Sequence, residues 1–396
     1  MSFMRLDHLK NIIQSSHINF LFGSGLSQPY LSTLGNIETW LTEAEKIEEG
    51  NTKNIIRTSL EALYFSSVMK PCLSSEICVL EDDRKRNYYT VLNNYKTFLS
   101  KWNEIMAKRN VGLLDKQISV FTTNIDNLVE TAAEEVKVEF NDGFKGRITP
   151  IFREDTFSNI TSKVSPLYQN RSMIPVFNYM KIHGSINWES IDGNDISYDS
   201  RLRLLQNISD CYKYLRPSDI IMDFKDAITF EDIQKKAEDI VEYENSSSDK
   251  SDNFTGLFSK LVMVRPSKNK FSETVLELHF YELMRLYSNA LECSNSLLMV
   301  AGFSFADEHI AKITVRAANS NPTLQILVFA FDSFAKNVIE TNINKVGAVN
   351  NNNILYITPE SFKRSQDADF ANKALKDLTK FDLESINKYV FGYLGI

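Results

Sequence analysis

Cysteine is scarce in this chain. Four cysteines stand in 396 residues, at Cys72, Cys78, Cys211 and Cys293, and none belongs to a Cys-x-x-Cys pair. The sequence therefore offers neither the usual tetrahedral zinc module nor a thioredoxin-type redox site, and no zinc is expected. Cys72 and Cys78 are close enough in sequence to bridge, but scattered free thiols in a reducing cytoplasm are the expectation. Long apolar runs are missing as well, so no membrane span is expected. Residues 1–14 carry Arg5, Asp7 and Lys10 and no apolar stretch of signal-peptide length, which points to a cytoplasmic protein. A basic excess is also absent: 44 Lys and Arg against 51 Asp and Glu give a net charge of −7. Nothing draws the whole chain to a phosphate backbone, and direct nucleic-acid binding is not expected.

What is present is ordinary globular material, 43% hydrophobic and 24% charged, in a length that can bury a large core. Apolar, β-prone runs cover residues 18–22, 118–121, 297–301, 326–331 and 354–357, and the first three stop at Gly23, at Thr122-Thr123-Asn124 and at Gly302. Helical-looking stretches lie between them. Alternation of this kind predicts an α/β architecture, a parallel Rossmann-like sheet with helices on both faces. Residues 38–110 and 191–258 break the alternation and read as helical insertions that together form a smaller helical subdomain. The expected single unit thus draws its core from about 1–37, 111–190 and 259–360, with an amphipathic tail over 361–396 that packs on the core or carries an oligomer contact. The segment 350–353 reads as a turn.

In parallel sheets ligands sit at the carboxyl ends of strands, and four polar motifs fall there. Gly23-Ser24-Gly25-Leu26-Ser27 follows the first run, where glycines let backbone amides approach a pyrophosphate. The dehydrogenase fingerprint wants a third glycine where Gln28 stands, so a tight turn without a ligand is an equal reading. Thr122-Thr123-Asn124-Ile125-Asp126 projects an amide and a carboxylate into one crevice, or else caps a helix starting near Asn127. Lys181-Ile182-His183-Gly184-Ser185-Ile186-Asn187-Trp188 places one of only five histidines at a turn, where it suits a general base or a hydrogen-bonded structural role. Gly302-Phe303-Ser304-Phe305-Ala306-Asp307-Glu308-His309 closes the series; Ser304 suits a ribose or phosphate contact, whereas Ser304 and Asp307 also suit helix caps.

Taken in order, these four elements resemble the sirtuin superfamily, in which the corresponding segments surround NAD. The resemblance is anchored at residues 18–35, 118–130, 176–188 and 297–310. Residues 261–268 and 302–310 are more similar to the bacterial sirtuin-like proteins of antiphage systems, in particular the type encoded beside a HerA-type DNA-translocating ATPase. Two family features are missing. The paired Cys-x-x-Cys zinc module after His-Gly-Ser is absent, and Gln28-Pro29-Tyr30 stands in place of the Gly-Ile-Pro loop. An acyl-peptide channel of the usual kind is therefore not expected.

The resemblance implies an NAD glycohydrolase that releases nicotinamide and ADP-ribose, with NAD as substrate and no further cofactor. It implies Asn124 and His183 as catalytic residues. Asp126 would hold the carboxamide, Thr123 would also be among the NAD-binding residues, and Gly23, Ser24, Gly25 and Ser27 would line the diphosphate. Gly302 and Ser304 would approach the adenosine ribose. A homo-oligomer assembled with the ATPase, depleting NAD in infected cells, completes the implication. Two rivals use the same site: a protein deacylase or ADP-ribosyltransferase, and a non-catalytic NAD or ADP-ribose sensor.

Overall fold

The computed structural model describes residues 4–33, 35–109, 114–191, 193, 195–221, 224, 229–243, 249–264 and 276–395. Of the segments singled out above, 265–268 and 244–248 lie outside the described residues. The strands are β1 His17–Phe22, β2 Gln117–Thr122, β3 Phe140–Asn141, β4 Phe144–Lys145, β5 Ile151–Phe152, β6 Ser162–Val164, β7 Arg171–Met173, β8 Val176–Lys181, β9 Trp188–Ile191, β10 Asp195–Tyr198, β11 Ser296–Ala301, β12 Gln325–Phe329 and β13 Ile354–Ile357. Seven of them form one sheet in the order β13-β12-β11-β1-β2-β8-β3, and each neighbouring pair is parallel. The architecture is the expected α/β, Rossmann-like one.

Alternate residues of these strands enter two cores, as the two-residue period of a strand requires. Ile18, Phe20, Ile118, Val120, Phe177, Leu297 and Met299 face one layer, while Leu21, Phe121, Met180, Leu298 and Val300 face the other. The first layer holds α1 Leu6–Ser15, α5 Asp82–Lys108, α6 Leu128–Val136 and α15 Leu383–Tyr389; the second holds α10 Leu276–Glu292, α11 Glu308–Ser320 and α12 Ser333–Val346. In α5 the buried residues Val91, Leu92, Tyr95, Phe98, Leu99, Trp102, Ile105 and Met106 recur at three- and four-residue steps, a single apolar stripe. Phe98 and Trp102 meet Phe20 edge-on, each with ring centroids 4.9 Å apart.

That contact divides the first expected insertion. Within 38–110, α5 is a covering helix of the sheet, whereas α2 Ile37–Ala44 and α3 Asn51–Tyr64 stand with α7 Arg203–Tyr212, α8 Phe230–Tyr243 and α9 Asp249–Phe258 in the helical subdomain. The subdomain's Ile56, Leu60, Ile208, Ile233 and Phe254 continue the first core without a break. The second expected insertion also differs at its start: β10 lies inside 191–258 and pairs antiparallel with β9, in a small sheet ordered β4-β5-β10-β9. Ile196 and Ser197 are both buried, between the intermediate Asp195 and Tyr198, and the segment is held as a strand by its register with β9, Ile196 opposite Ser190. The tail packs on the core through α15 against α5 and through Phe391 against Trp102, 5.2 Å between centroids.

Candidate functional site

β1 lies between β11 and β2, so the chain departs from β1 to one side first and to the other side much later. Such a reversal opens a crevice at the carboxyl ends of the strands. Here the turns after β1 and β11 are joined by backbone: the Gly23 N–H donates to Ala301 O at 3.1 Å and the Gly25 N–H to Gly302 O at 3.0 Å. A Cβ on Gly23 would stand 2.4 Å from the Gly302 carbonyl oxygen, so glycine permits this approach. Gly302 itself has φ +65°, a left-handed conformation that favours glycine. Ser24 and Ser304 are exposed at the rim, and Ser304 gives its carbonyl to the Asn342 amide at 3.0 Å.

Beneath this rim lies a buried polar knot. The Ser27 hydroxyl donates to Asp126 Oδ2 at 2.9 Å, and its lone pairs face Tyr95 Oη at 3.2 Å and Asn124 Nδ2 at 3.4 Å. The Asp126 Oδ1 accepts the Leu128 N–H at 3.1 Å, so the start of α6 is held by Asp126, and neither Thr123 nor Asn124 caps it. The Asn124 N–H is held by Thr122 Oγ1 at 3.0 Å, and the Thr123 N–H reaches Phe22 O. Ser27, Asn124 and Asp126 are 1%, 6% and 3% exposed. Ser27 thus holds the Asn124 amide, and Asp126 in turn holds Ser27. Burial, reinforced by the Asp126 charge, raises the Tyr95 phenol far above its ordinary range, so it remains a neutral donor. The Asn124 Oδ1 is buried and has no hydrogen-bond partner among the described residues.

A lysine ties this loop to the next strand. The Lys181 ammonium, at the end of β8, reaches Glu130 Oε1 at 2.6 Å, Ser185 Oγ at 2.7 Å and the Asp126 carbonyl oxygen. Burial raises the Glu130 carboxyl, and the adjacent Lys181 only partly offsets it. The Ile125 carbonyl accepts the Ile186 N–H at 3.1 Å and the Ser185 hydroxyl at 3.2 Å. Gly184 has φ +75°, and a Cβ there would meet Val262 O at 2.3 Å, so this turn also fits only glycine.

His183 precedes that glycine. Its carbonyl accepts the Val264 N–H at 2.9 Å, and its Nε2 lies 2.9 Å from Asp307 Oδ2, with both side chains 20% exposed. Asp307 also caps α11, its Oδ1 accepting the His309 and Ile310 N–H groups at 2.9 and 3.1 Å. Burial alone would raise the Asp307 carboxyl; the His183 hydrogen bond and charge outweigh it and bring it down to about 2. The turns after β1, β2, β8 and β11 are therefore linked pairwise, and the ten residues singled out from the sequence all belong to them. The pairings of Ser27 with Tyr95, Lys181 with Glu130 and His183 with Asp307 went unread. A lysine ending a buried strand was the one signal in the sequence that pointed to any of them.

Fold and site together define a Rossmann-like α/β protein whose linked strand-end turns carry an amide, a carboxylate and an imidazole. No protein-family model matches the chain, and no curated protein matches it. All four cysteines are free. Among the described residues no three His, Cys, Asp or Glu side chains gather as a metal-holding group, and no helix is long and apolar enough to cross a membrane.

Proposed function

We propose that this protein hydrolyses NAD at the nicotinamide–ribose bond. The C1′–N bond breaks with its electron pair passing to the pyridinium nitrogen, so nicotinamide leaves neutral and needs no general acid. What remains is to stabilise an oxocarbenium-like ribosyl carbon and to deliver water to it. The water oxygen bonds to C1′ and its proton passes to His183. Asn124 orients that water or the ribose hydroxyl through its free Oδ1. Gly23, Ser24 and Gly25 lie on the diphosphate side, Gly302 and Ser304 on the adenosine side. Ser27, itself held by Asp126, holds Asn124, and Asp126 reaches the carboxamide only if the substrate opens this knot.

The observation that carries the reading is the Asn124 Oδ1: a buried acceptor without a partner, costly to leave unmade, at the carboxyl end of β2 beside a half-buried imidazole. A sensor needs neither group in that state. The resemblance to sirtuin-like proteins supplies the wider proposal: an oligomeric antiphage effector in the cytoplasm, assembled with a HerA-type ATPase. The test is to incubate purified full-length protein with NAD alone, then with the ATPase, and to follow the products by chromatography. Equal release of nicotinamide and ADP-ribose supports hydrolysis. Release that requires an acylated peptide points to a deacylase, and NAD bound but recovered intact under both conditions points to a sensor.

A further inference from the structure

We infer that Asp307 is a positioning residue, fixing His183 as the tautomer protonated at Nε2 and leaving Nδ1 as the nitrogen that accepts a proton. The role as base rests on the hydrolase reading; the tautomer does not. A helix cap alone needs one acceptor oxygen, and Ser, Thr or Asn supplies it as well as Asp. Asp307 uses Oδ1 for that task, toward His309 and Ile310, and turns Oδ2 to His183 at 2.9 Å. An ionised carboxylate only accepts, so the shared proton resides on Nε2 and Nδ1 keeps its lone pair. The partners are held independently. His183 is clamped through its carbonyl by Val264 and through the Gly184 turn against Val262, while Asp307 is locked into the first turn of α11. The arrangement is a base oriented by a third group, built from two strand ends 124 positions apart.

Two substitutions separate this role from capping. Asp307→Asn keeps a capping oxygen but presents an amide donor to Nε2, which drives the imidazole proton to Nδ1. Asp307→Ser keeps a cap and loses the reach to His183. The tautomer is read from long-range ¹⁵N–¹H spectra of the labelled full chain at a pH where the ring is neutral, with His183→Gln assigning the signal among the five histidines. The expected result is Nε2–H in the wild type and Nδ1–H in Asp307→Asn. Nicotinamide release should fall by about 10²–10⁴-fold in Asp307→Asn, and NAD affinity by calorimetry should stay within a few fold. Asp307→Ser should lose release while remaining folded, its stability lowered by no more than loss of the ion pair with His183 accounts for. An Nδ1–H wild type, or near-normal release from a folded Asp307→Asn, overturns the assignment. If the tautomer reverses as expected but the wild type releases no nicotinamide, the positioning stands and the hydrolase reading fails.

Discussion

Ser27 has one hydroxyl proton and two lone pairs, and all three are committed. The proton goes to Asp126, so Tyr95 and the Asn124 Nδ2 must both act as donors toward the same oxygen. This arithmetic turns the Asn124 Oδ1 away from the knot. Asn124→Ala should therefore lower nicotinamide release steeply, on the order of 10²-fold or more, with little change in NAD affinity, as for an interaction made chiefly in the transition state. Calorimetry and turnover on one preparation decide the matter, and weakened binding with unchanged turnover would remove Asn124 from the chemistry. His183 and Asp307 make a separate prediction. The folded-state value of Asp307, about 2, lies below its ordinary 3.8. Its contribution is then complete above the unfolded value and disappears as pH falls from about 4 toward 2, an effect of at most ~2 kcal/mol. Denaturant unfolding at stepped pH should show wild type and His183→Ala converging across that window; a constant gap would mean the pair is not an ion pair.

At the scale of elements, the glycines act between turns. An alanine at Gly23 would meet the Gly302 carbonyl, and one at Gly302 would meet Leu26 N at 2.7 Å with φ +65°. Each single change must push the β1 and β11 turns apart, at a cost of about 1–3 kcal/mol. Once separated, the turns have less to lose, so the double variant should cost clearly less than the sum of the singles. Additive values from chemical denaturation would show that the two turns yield independently. Lys181 makes the corresponding link between the β2 and β8 turns, with its side chain 3% exposed against 10% for Glu130. Lys181→Met strands a buried carboxyl and should cost about 3–5 kcal/mol. Adding Glu130→Gln should restore about 1–3 kcal/mol, and no recovery would show that the lysine acts only through Ser185 and the Asp126 carbonyl.

For the whole molecule, the strand ends were legible because an apolar run that stops at glycine or a polar cluster is a local pattern. β1, β2 and β11 to β13 follow it. β8 was half visible, as an apolar approach to His183. β10 was hidden because its four residues carry too short a period to outweigh the helical stretch that follows. α5 was read as a helix but not as a layer: nothing local in its stripe says that Phe98 and Trp102 meet Phe20, across a separation only the fold closes. The site divides in the same way. Asn124, Asp126 and His183 announce themselves by residue type at a strand end, while Tyr95, Glu130 and Asp307, the partners of Ser27, Lys181 and His183, stand on helices or their caps, 68, 51 and 124 positions from the groups they contact. Pairing at such distances is set by tertiary packing and leaves no trace in a single sequence.

The reversal of strand order between β1 and β11 has a consequence in time. β1 is translated well before its neighbour β11, which starts at Ser296, and before the partner of His183 at Asp307. A chain still growing through its helical subdomain holds Asn124 and His183 but has no β11, no Gly302 to close on Gly23 and no carboxylate to orient the imidazole. The NAD hydrolysis proposed above is thereby withheld until β11 and Asp307 have been made. Fragments ending before that point should be inert toward NAD.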